Sequence, residues 1–305
     1  MLSYTITADD HCRRLESFLQ RLLPAALPSY CRKLSKSGAC RLAGTRATPD
    51  TLLAAGDRLD LKASATVTKL LQGTRPPIDL LWQDERLLAV NKPPGLAMHP
   101  AAEVDHNLAD IASTWLGEQT NQLVRAYPVN RLDRGTSGVV LLATSSGNAG
   151  ILGRQIKEEG LDKTYLAVVE GRLTGTGEID QPLDGKLSLS RYRCLHSGRQ
   201  HSLLLVEPVS GRTHQIRRHL AGIGHPVAGD KRYGATPLPA LPGVALHSFR
   251  TTLRHPDTGQ LLTICAPLPP ILRNFTVDRC DMALQQLLEL LSEQATTCTN
   301  YHSPA

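Results

Sequence analysis

Apolar and polar positions in residues 1–61 recur with two different periods. Five apolar residues spaced three or four positions apart predict an amphipathic helix that ends at Pro24: Leu15, Phe18, Leu19, Leu22 and Leu23. A second short helix is predicted over residues 29–37, with Gly38 as its C-terminal cap. The segments ACRLAG and DRLDL have the pattern of short strands. Residues 1–61 are therefore expected to form a small α/β domain.

The pattern changes after residue 61. Residues 62–79 show no sustained periodicity and contain two consecutive prolines, which is typical of a linker. Residues 80–275 contain many short apolar runs, often adjacent, and fewer helical segments. They predict an α+β domain around a mixed, largely antiparallel sheet. Residues 276–305 are expected to add one amphipathic helix, over 277–293, and a disordered tail.

Charge and composition narrow the class of partner. The 34 basic and 28 acidic residues give a net charge of +6, which indicates a polyanionic partner, although such a surplus is also common on ordinary surfaces. The seven cysteines include no C-x-x-C pair, so reduced thiols are expected and a zinc site is disfavoured. No signal-peptide pattern is present and no apolar stretch approaches the ~20 residues of a membrane span, which predicts a soluble, cytoplasmic protein.

Three common enzyme motifs are absent from the sequence. The segment GTSG is not the G-x-S-x-G of a serine hydrolase. Neither the phosphate-binding G-x-x-x-x-G-K-[ST] nor the dinucleotide-binding G-x-G-x-x-G occurs. No nucleotide cofactor is therefore expected.

The segment NRLDRGTSGVVLLA places Asp133 between Arg131 and Arg134. Its glycines allow an irregular loop, and the apolar run that follows anchors this loop to a buried strand. Neighbouring guanidinium groups favour an ionised carboxylate. Asp133 is then suited to act as a nucleophile or an electrostatic anchor. The alternative is an ion pair that only pins the loop.

A second basic segment, GRTHQIRRHL, begins a predicted helix. A helix N-terminus favours anions, so Arg212 is a candidate for contact with phosphate. Arg217 shares a helix face with apolar residues, so its side chain is expected to point inward, where it needs a carboxylate. Asp133 is the candidate for that carboxylate. For His214 and His219, packing or a phosphate contact is favoured over a role as ligand or base.

Two further features are compatible with binding of nucleic acid. Tyr165 stands near the start of the apolar strand segment DKTYLAVVEG, in a chain with only 4% aromatic residues. It is suited to stacking on a base, and an ordinary half-buried tyrosine is the equal alternative. The second predicted helix carries Arg32, Lys33 and Lys36 at polar positions, which fits either phosphate binding or a solvated face.

Four segments together resemble the pseudouridine synthases of the large-ribosomal-RNA type, the RluA-like family. They are NKPPGLAMHP, NRLDRGTSGVVLLA, KTYLAVVEG and GRTHQIRRHLAGIGHPVAGDKRYG, in the order of the family's motifs. The resemblance covers roughly residues 1–275, and the N-terminal part resembles the small RNA-binding domain first seen in ribosomal protein S-four. Asn130 departs from the family, which usually has histidine there. Because Arg131 and Asp133 match, we do not infer a loss of activity.

This resemblance implies an isomerase that converts uridine in RNA to its C-glycoside isomer without a metal or redox cofactor. It aligns Asp133 with the essential aspartate, which attacks either C6 of uracil or C1′ of ribose. Arg217 aligns with the arginine that pairs with this carboxylate. Tyr165 aligns with the tyrosine that stacks on the target base and accepts the C5 proton. Arg131 aligns with the arginine that fills the space left by the flipped base.

The implied partner is RNA, with ribosomal RNA preferred over transfer RNA, and the expected state is a monomer. Six basic residues are candidates for contact with RNA: Arg131, Arg134, Arg212, Arg32, Lys33 and Lys36. Two other functions stay open. A catalytically idle RNA-binding or ribosome-assembly protein of the same fold would form no isomer, and a nucleoside-cleaving hydrolase would release free uracil.

Overall fold

The computed structural model describes residues 1–23, 26, 28–72, 78–99, 107–120, 124–295 and 298. The chain forms two compact units. The first unit comprises Met1–Ile78 with His99–Ala126, and the second comprises Asp79–Met98 with Tyr127–Ala305. None of the helices in the described ranges combines the length and the hydropathy that crossing a bilayer requires.

The first unit contains a small antiparallel sheet and several helices. Its strands are β1 (Leu2–Thr5), β2 (Cys40–Leu42), β3 (Thr45–Arg46) and β4 (Arg58–Leu61), which pair in the order β1-β4-β2-β3. Its helices are α1 (Leu15–Leu22), α2 (Pro28–Lys36), α3 (Ala65–Gln72) and α4 (Leu108–Thr120), with a 3₁₀ helix at Ala8–Asp10. The buried core includes residues of both kinds of element: Leu15, Leu19, Cys31, Cys40, Leu59, Leu61 and Val67.

One predicted feature of this part of the chain is wrong. Residues 62–79 were expected to form a linker, but α3 lies within them and Val67 is fully buried in the core of the first unit. Three apolar residues of this helix, Val67, Leu70 and Leu71, belong to that core. Their helical spacing spans barely one turn, which is too short a pattern to stand out beside the prolines that follow. The other boundaries of the proposed division into domains stay predictions.

The second unit is built around a larger sheet. Its strands are β5 (Leu80–Gln83), β6 (Leu87–Lys92), β7 (Tyr127–Pro128), β8 (Ser137–Ala143), β9 (Asp162–Glu170), β10 (Thr176–Asp180), β11 (Leu189–Ser197), β12 (His201–Pro208), β13 (Leu246–Arg254) and β14 (Leu261–Cys265). Its helices are α5 (Ser146–Glu159), α6 (Gln215–Gly222), α7 (Pro270–Arg279) and α8 (Leu284–Ala295), with a 3₁₀ helix at Lys231–Tyr233. The strand order is β10-β11-β12-β9-β13-β8-β6-β5, with β14 beside β13 and β7 beside β8.

The predicted fold class is confirmed. Among the described residues, every strand pairing in this sheet is antiparallel except that of β13 with β8. All seven residues of β8 are buried, which accounts for its uninterrupted apolar run. Residues 79–92 form the antiparallel pair β5–β6, and β13 and β14 form a hairpin around Asp257.

Two close backbone approaches fix the loop that enters β8. Gly138 has a φ of +112°, and a Cβ added there would lie 2.2 Å from Ser248 O on β13. Only glycine fits this position, because a side chain would collide with the neighbouring backbone. Gly135 O accepts a hydrogen bond from Val244 N at 3.1 Å. The two glycines of the segment GTSG thus allow the loop to pack closely against the backbone of the sheet and of the segment before β13.

The C-terminal part of the chain differs from its prediction. The single helix expected over 277–293 is two helices, α7 and α8, interrupted at Asp281, which has a φ of +52°. Cys265 and Cys298 form a disulfide, so the expectation of reduced thiols is wrong for this pair. Sequence spacing did not reveal the pairing because 33 positions separate the two cysteines. Most of the predicted disordered tail lies outside the described residues.

Candidate active site

A cleft of about 340 Å³ lies in the second unit where β8 begins, beside β9 and the start of α6. Polar side chains from distant segments meet in its lining: Arg131, Asp133, Lys163, Tyr165, Arg212 and Arg217. The structure therefore brings together all three residues that the sequence predicted as catalytic. Their roles stay predictions, but their common location permits them to act on one substrate.

Arg217 joins two carboxylates in the wall of this cleft. Its Nη1 donates to Asp133 Oδ2 at 2.9 Å, and its Nε and Nη2 donate to the two oxygens of Asp230 at 2.6 and 2.9 Å. Burial alone would lower the pKa of Arg217, but the hydrogen bonds to Asp230 and Asp133 reverse this and raise it. The Asp230 side chain is 1% exposed and that of Asp133 is 30% exposed. Asp230 thus holds the guanidinium, and Asp133 is the carboxylate that a substrate can reach.

His214 lies next to the same ion pair. Its Nε2 is 3.6 Å from Asp133 Oδ1, and its Nδ1 is 2.8 Å from the hydroxyl of Tyr233. Burial lowers the pKa of His214 and the charge of Asp133 only partly opposes this, so the imidazole is neutral at neutral pH. The full positive charge that directly contacts Asp133 is therefore that of Arg217.

Gln215, the first residue of α6, fixes the loop that precedes the helix. Its Oε1 accepts hydrogen bonds from the Ser210 hydroxyl at 2.7 Å and from Arg212 N at 3.0 Å. Its Nε2 donates to Leu189 O at 2.9 Å and to Ser190 Oγ at 3.1 Å. The buried amide thus uses both groups to attach the loop to β11, which sets one wall of the cleft.

Lys92 fastens the loop that carries Asp133. It is fully buried, and its Nζ donates to the carbonyl oxygens of Pro93, Leu96 and Arg134 at 3.0, 2.9 and 3.1 Å. One ammonium group therefore links the loop after β6 to the loop before β8. Burial lowers the pKa of Lys92 to about 7, while the charge of Asp133 acts in the opposite direction.

Tyr165 lies on β9 with its side chain at the cleft and is 7% exposed. Its backbone pairs with Val206 of β12 on one side and with Ser248 of β13 on the other. Burial raises the pKa of Tyr165 to about 12, which the nearby Ser248 hydroxyl partly offsets. The phenol is therefore protonated at neutral pH. Its ring offers a fixed flat surface. Its oxygen can accept a proton only if the hydroxyl group gives up the proton that it already carries.

Asn130, at the position where histidine was expected, has a structural role. Its Oδ1 accepts from Leu141 N at 2.7 Å, and its Nδ2 lies 3.4 Å from Val139 O. The adjacent Val129 N donates to Leu141 O at 2.9 Å. The side-chain amide thus imitates a peptide group and continues the pairing with β8. This placement brings the chain to Asp133 in a fixed direction.

The predicted RNA-binding arginines of this segment occupy different surroundings. Arg131 and Arg212 are exposed at the cleft, and Arg212 donates to Leu187 O at 3.3 Å from both Nε and Nη2. Arg134 lies outside the cleft lining and donates from Nε to Gly95 O at 3.0 Å. The arginines that flank Asp133 in sequence were expected to be its charge partners. Arg217, which the sequence also predicted to pair with Asp133, has this role, because consecutive residues of a turn point in different directions.

The other three predicted RNA-binding residues lie in the first unit. Arg32, Lys33 and Lys36 are all exposed on α2. Arg32 is partly compensated, since its Nε is 4.0 Å from Glu16 Oε2. The face is therefore positive and solvated, which is compatible with either of the two interpretations of the sequence.

Sequence reasoning missed Asp230 and Lys92. A signal for Asp230 existed, because a guanidinium has five N–H donors and an inward arginine rarely finds enough acceptors in one carboxylate. The only carboxylate in the motif segment GRTHQIRRHLAGIGHPVAGDKRYG is Asp230. Lys92 gave no such signal, since its carbonyl acceptors become apparent only once two loops are folded together. His219 is fully buried against Ser188 and Ser190, so packing is its role, as favoured above.

Within the described ranges, no three His, Cys, Asp or Glu side chains cluster as metal ligands do. The expectation that the protein needs no metal or other cofactor stays a prediction.

A family model and individual relatives both show similarity to pseudouridine synthases. Residues 86–222 match the family model described as RNA pseudouridylate synthase. The ribosomal large subunit pseudouridine synthase D of Nitrosomonas europaea is 32% identical over 279 residues, which cover 84% of this chain and 81% of that protein. The tRNA pseudouridine synthase C of Pasteurella multocida is 36% identical over 223 residues, which cover 62% of this chain and 90% of that protein.

Solved structures extend this likeness to the fold. The structure described as human RNA pseudouridylate synthase domain containing 4 superposes with a TM-score of 0.55 at 21% identity and covers 67% of this chain and 93% of that one. A second structure, human RNA pseudouridylate synthase domain containing 1, gives a TM-score of 0.53 at 23% identity, with 74% and 97% covered. The resemblance of the first unit to ribosomal protein S-four stays a prediction.

Proposed function

The chain belongs to the RNA pseudouridylate synthase family, and we propose that it isomerises uridines of ribosomal RNA to pseudouridine with Asp133 as the nucleophile. The observation that carries the assignment of the site is the Asp133–Arg217 ion pair at 2.9 Å, beside Tyr165 in the cleft. Among the residues that line this cleft, Asp133 is the carboxylate, so it is the group that can attack an electrophilic carbon.

The reaction is an isomerisation and consumes no second reactant. The bond between N1 of uracil and C1′ of ribose breaks, the ring turns, and a bond between C5 and C1′ forms. C5 loses its proton and N1 gains one, so atoms and charge balance. Asp133 enters through a transient bond to either C6 of uracil or C1′ of ribose. Both routes need an ionised carboxylate with one oxygen open to the cleft.

Arg217 supplies the conditions that this step needs. Its guanidinium lies 2.9 Å from Asp133 and opposes the carboxylate charge, and its two hydrogen bonds to buried Asp230 prevent the guanidinium from turning toward substrate phosphates. Tyr165 provides the surface against which the flipped uracil stacks. Its hydroxyl relays the C5 proton. Arg131, exposed at the rim, occupies the place in the RNA that the flipped nucleotide leaves.

Ribosomal RNA is proposed as the substrate because of how the relatives match. The Nitrosomonas relative named for the large ribosomal subunit aligns along 84% of this chain, whereas the relative named for tRNA aligns along 62%. Membership of the family also supports an active enzyme over an idle RNA-binding protein. The monomeric state and the cytoplasmic location stay predictions.

The test is to map pseudouridines chemically in total RNA from cells with and without this gene. We expect at least one ribosomal RNA position to lose its pseudouridine when the gene is deleted. The gene should restore it, and a gene encoding Asp133→Asn should not, because an amide of the same shape is a far weaker nucleophile. Purified Asp133→Asn should bind RNA within a fewfold of wild type and retain less than about 1% of its turnover. Substantial turnover by this variant would exclude Asp133 as the nucleophile, and a lost position in transfer RNA alone would exclude the proposed substrate.

A further inference from the structure

Lys163 is a cation of the cleft to which the mechanism above gives no role. It lies on β9 and lines the cleft together with Asp133 and Tyr165. Burial lowers the pKa of Lys163, which means that its ammonium group has lost part of its hydration. Among the described residues, no carboxylate or carbonyl oxygen accepts a hydrogen bond from its Nζ. A desolvated cation without a partner is costly in the free protein.

The position of Lys163 relative to Tyr165 suggests what the partner is. The two residues are two positions apart on one strand, so their side chains leave the same face of the sheet about 7 Å apart. This spacing is comparable to that between a base and the phosphate group of the same nucleotide. A uracil stacked on Tyr165 therefore places an adjoining phosphate near Lys163.

The loop before α6 approaches Lys163 at a residue without a side chain. Gly211 faces Lys163, and a Cβ added to Gly211 would lie 4.0 Å from the ammonium nitrogen. Gly211 does not have a positive φ, so its backbone conformation does not require glycine. The missing side chain instead keeps the surroundings of the ammonium group open. Gln215 holds the backbone of the same loop in place through Ser210 and Arg212.

The charges of the cleft point to an anion. The lining contains one carboxylate, that of Asp133, which Arg217 already compensates. Arg131, Lys163 and Arg212 contribute three further cations with no carboxylate opposite them in the lining. Arg131 and Arg212 are exposed, whereas Lys163 is partly buried beside the reacting groups. Lys163 is therefore placed to contact the target nucleotide itself rather than the RNA further away.

We propose that Lys163 binds a phosphate group adjoining the target uridine and so contributes to the affinity for the flipped nucleotide. The inference rests on the proposed function, since it presumes that a flipped uridine occupies the cleft. It assigns Lys163 to substrate binding and gives it no part in bond making or proton transfer.

The test combines one protein variant with chemically neutralised RNA. The probe is a synthetic stem-loop that carries the uridine mapped above, with either normal phosphates or a single uncharged methylphosphonate on its 5′ or its 3′ side. Affinity is measured in the inactive Asp133→Asn background, with and without Lys163→Met. We expect the methylphosphonate on one side and Lys163→Met each to weaken binding about tenfold or more, and the two together to weaken it no further. Lys163→Met should also reduce the slope of log affinity against log salt by about one unit, and Lys163→Arg should restore it.

Catalysis separates this role from the alternatives. In the Asp133 enzyme, Lys163→Met should raise KM and leave the single-turnover rate at saturating RNA within about threefold of wild type. The exposed Lys157 of α5 provides the control, and Lys157→Met should alter neither quantity. The proposal would be overturned if the loss of affinity caused by Lys163→Met added to the loss caused by the methylphosphonate, whichever side carries it. A collapse of the single-turnover rate at saturating RNA would also overturn it. If Lys163→Met does not fold, the affinity of the unmutated Lys163 protein for the two methylphosphonate RNAs decides, because unchanged affinity for both is incompatible with the contact. A failure of the proposed function appears differently, as wild-type protein that forms no pseudouridine.

Discussion

At the scale of single residues, the site depends on how Arg217 is shared between two carboxylates. Asp230 takes two of its hydrogen bonds from a fully buried position, and Asp133 takes one at the surface of the cleft. The inward direction of Arg217 and its pairing with Asp133 were predictable, because an arginine on an apolar helix face must find a carboxylate. Asp230 was not identified, although it is the only carboxylate in the motif segment that contains Arg217. Lys92 was not identified because its carbonyl partners lie on two loops that only the fold brings together.

Tyr165 permits a test of stacking against proton transfer. Tyr165→Phe keeps the ring and removes the hydroxyl, whereas Tyr165→Leu removes both. We expect Tyr165→Phe to bind RNA within a fewfold of wild type, to turn over at least about a hundredfold more slowly and to stall after uracil has been detached, because the C5 proton then lacks its relay. Tyr165→Leu should also bind RNA more weakly, since base stacking contributes about 1–3 kcal/mol. The measurements are RNA affinity and single-turnover rate, with Tyr192→Phe on β11, outside the cleft lining, as the control. A normal rate for Tyr165→Phe would leave stacking as the only role.

Lys92 makes stability depend on pH in a direction that can be derived. Its pKa is about 7 in the folded protein and about 10.4 in an unfolded chain, so between these values only the unfolded chain holds the proton. Unfolding then takes up a proton, and the free energy of unfolding rises with pH by up to about 1.4 kcal/mol per unit. Below pH 7 both states are protonated, and the full cost of burying the charge is present.

The measurement compares wild type with Lys92→Met in urea unfolding at about pH 6.5 and about pH 9. From the lower to the higher pH, the free energy of unfolding of the wild type should rise by about 2 kcal/mol more than that of the variant. Lys157→Met, which removes an exposed lysine, should show a constant difference from wild type. If the difference between wild type and Lys92→Met is the same at both pH values, Lys92 does not titrate in this window.

At the scale of elements, the sequence identified those whose apolar pattern is long or whose turn is marked. Strand β8, the pair β5–β6 and the hairpin β13–β14 were all predictable, because each has an uninterrupted or regularly alternating apolar run. Strands β10 and β11 were missed. Their exposed positions carry polar residues such as Arg191 and Glu178, so the apolar signal is weak. The break between α7 and α8 was missed because Asp281 adopts a left-handed conformation, which cannot be predicted from an aspartate in the sequence.

Helix α6 presents two arginines in succession, and each pairs with an aspartate through two hydrogen bonds. The pair Arg217–Asp230 is buried, whereas Arg218–Asp184 involves a carboxylate that is 70% exposed. Asp230→Asn should reduce turnover more than tenfold. The substitution removes the charge that orients Arg217, and the buried guanidinium is then poorly compensated. Asp184→Asn should change turnover less than twofold, because exposed ion pairs contribute about 0–1 kcal/mol.

The pair of variants is checked by single-turnover kinetics and RNA affinity on the same preparation. RNA affinity should stay within a fewfold of wild type for both, since neither aspartate lines the cleft. Equal effects of Asp230→Asn and Asp184→Asn would show that the orientation of Arg217 does not depend on Asp230. A reduction that appears in affinity and not in the saturating rate would contradict the assignment of Asp230 to the alignment of Asp133.

At the scale of the whole molecule, the cleft and the basic face of α2 belong to different compact units. Asp133, Tyr165 and Arg217 all lie in the second unit, and Arg32, Lys33 and Lys36 lie in the first. The order of the motifs predicted the family and the short apolar runs predicted the fold class, since both depend on many positions at once. The boundary between the units was harder to predict, because α4 follows β6 in sequence and yet groups with the first unit. Contacts between elements distant in sequence decide that grouping, and composition does not encode them.

The last prediction follows from this separation of charge and chemistry. The combined substitution Arg32→Ala, Lys33→Ala and Lys36→Ala removes three exposed cations from α2 and none from the cleft. If these residues contact phosphates, the slope of log affinity against log salt should fall by about two to three units. The lower value corresponds to partial compensation of Arg32 by Glu16 in the free protein. Affinity should weaken, and the single-turnover rate at saturating RNA should stay within about twofold of wild type.

A matched control removes charge from the same unit where it is already paired. Arg14 lies 2.6 Å from Asp50 and Arg58 lies 3.0 Å from Asp60, so Arg14→Ala with Arg58→Ala should leave the salt slope nearly unchanged. The triple variant then removes cations of α2, and the double variant removes arginines that are already paired with aspartates. Both sets of substitutions lie in the first unit. An unaltered slope for the triple variant would assign α2 to a merely solvated face. A collapsed saturating rate would mean that the first unit helps to build the active site, because counterion release affects binding and leaves the bonds at Asp133 untouched.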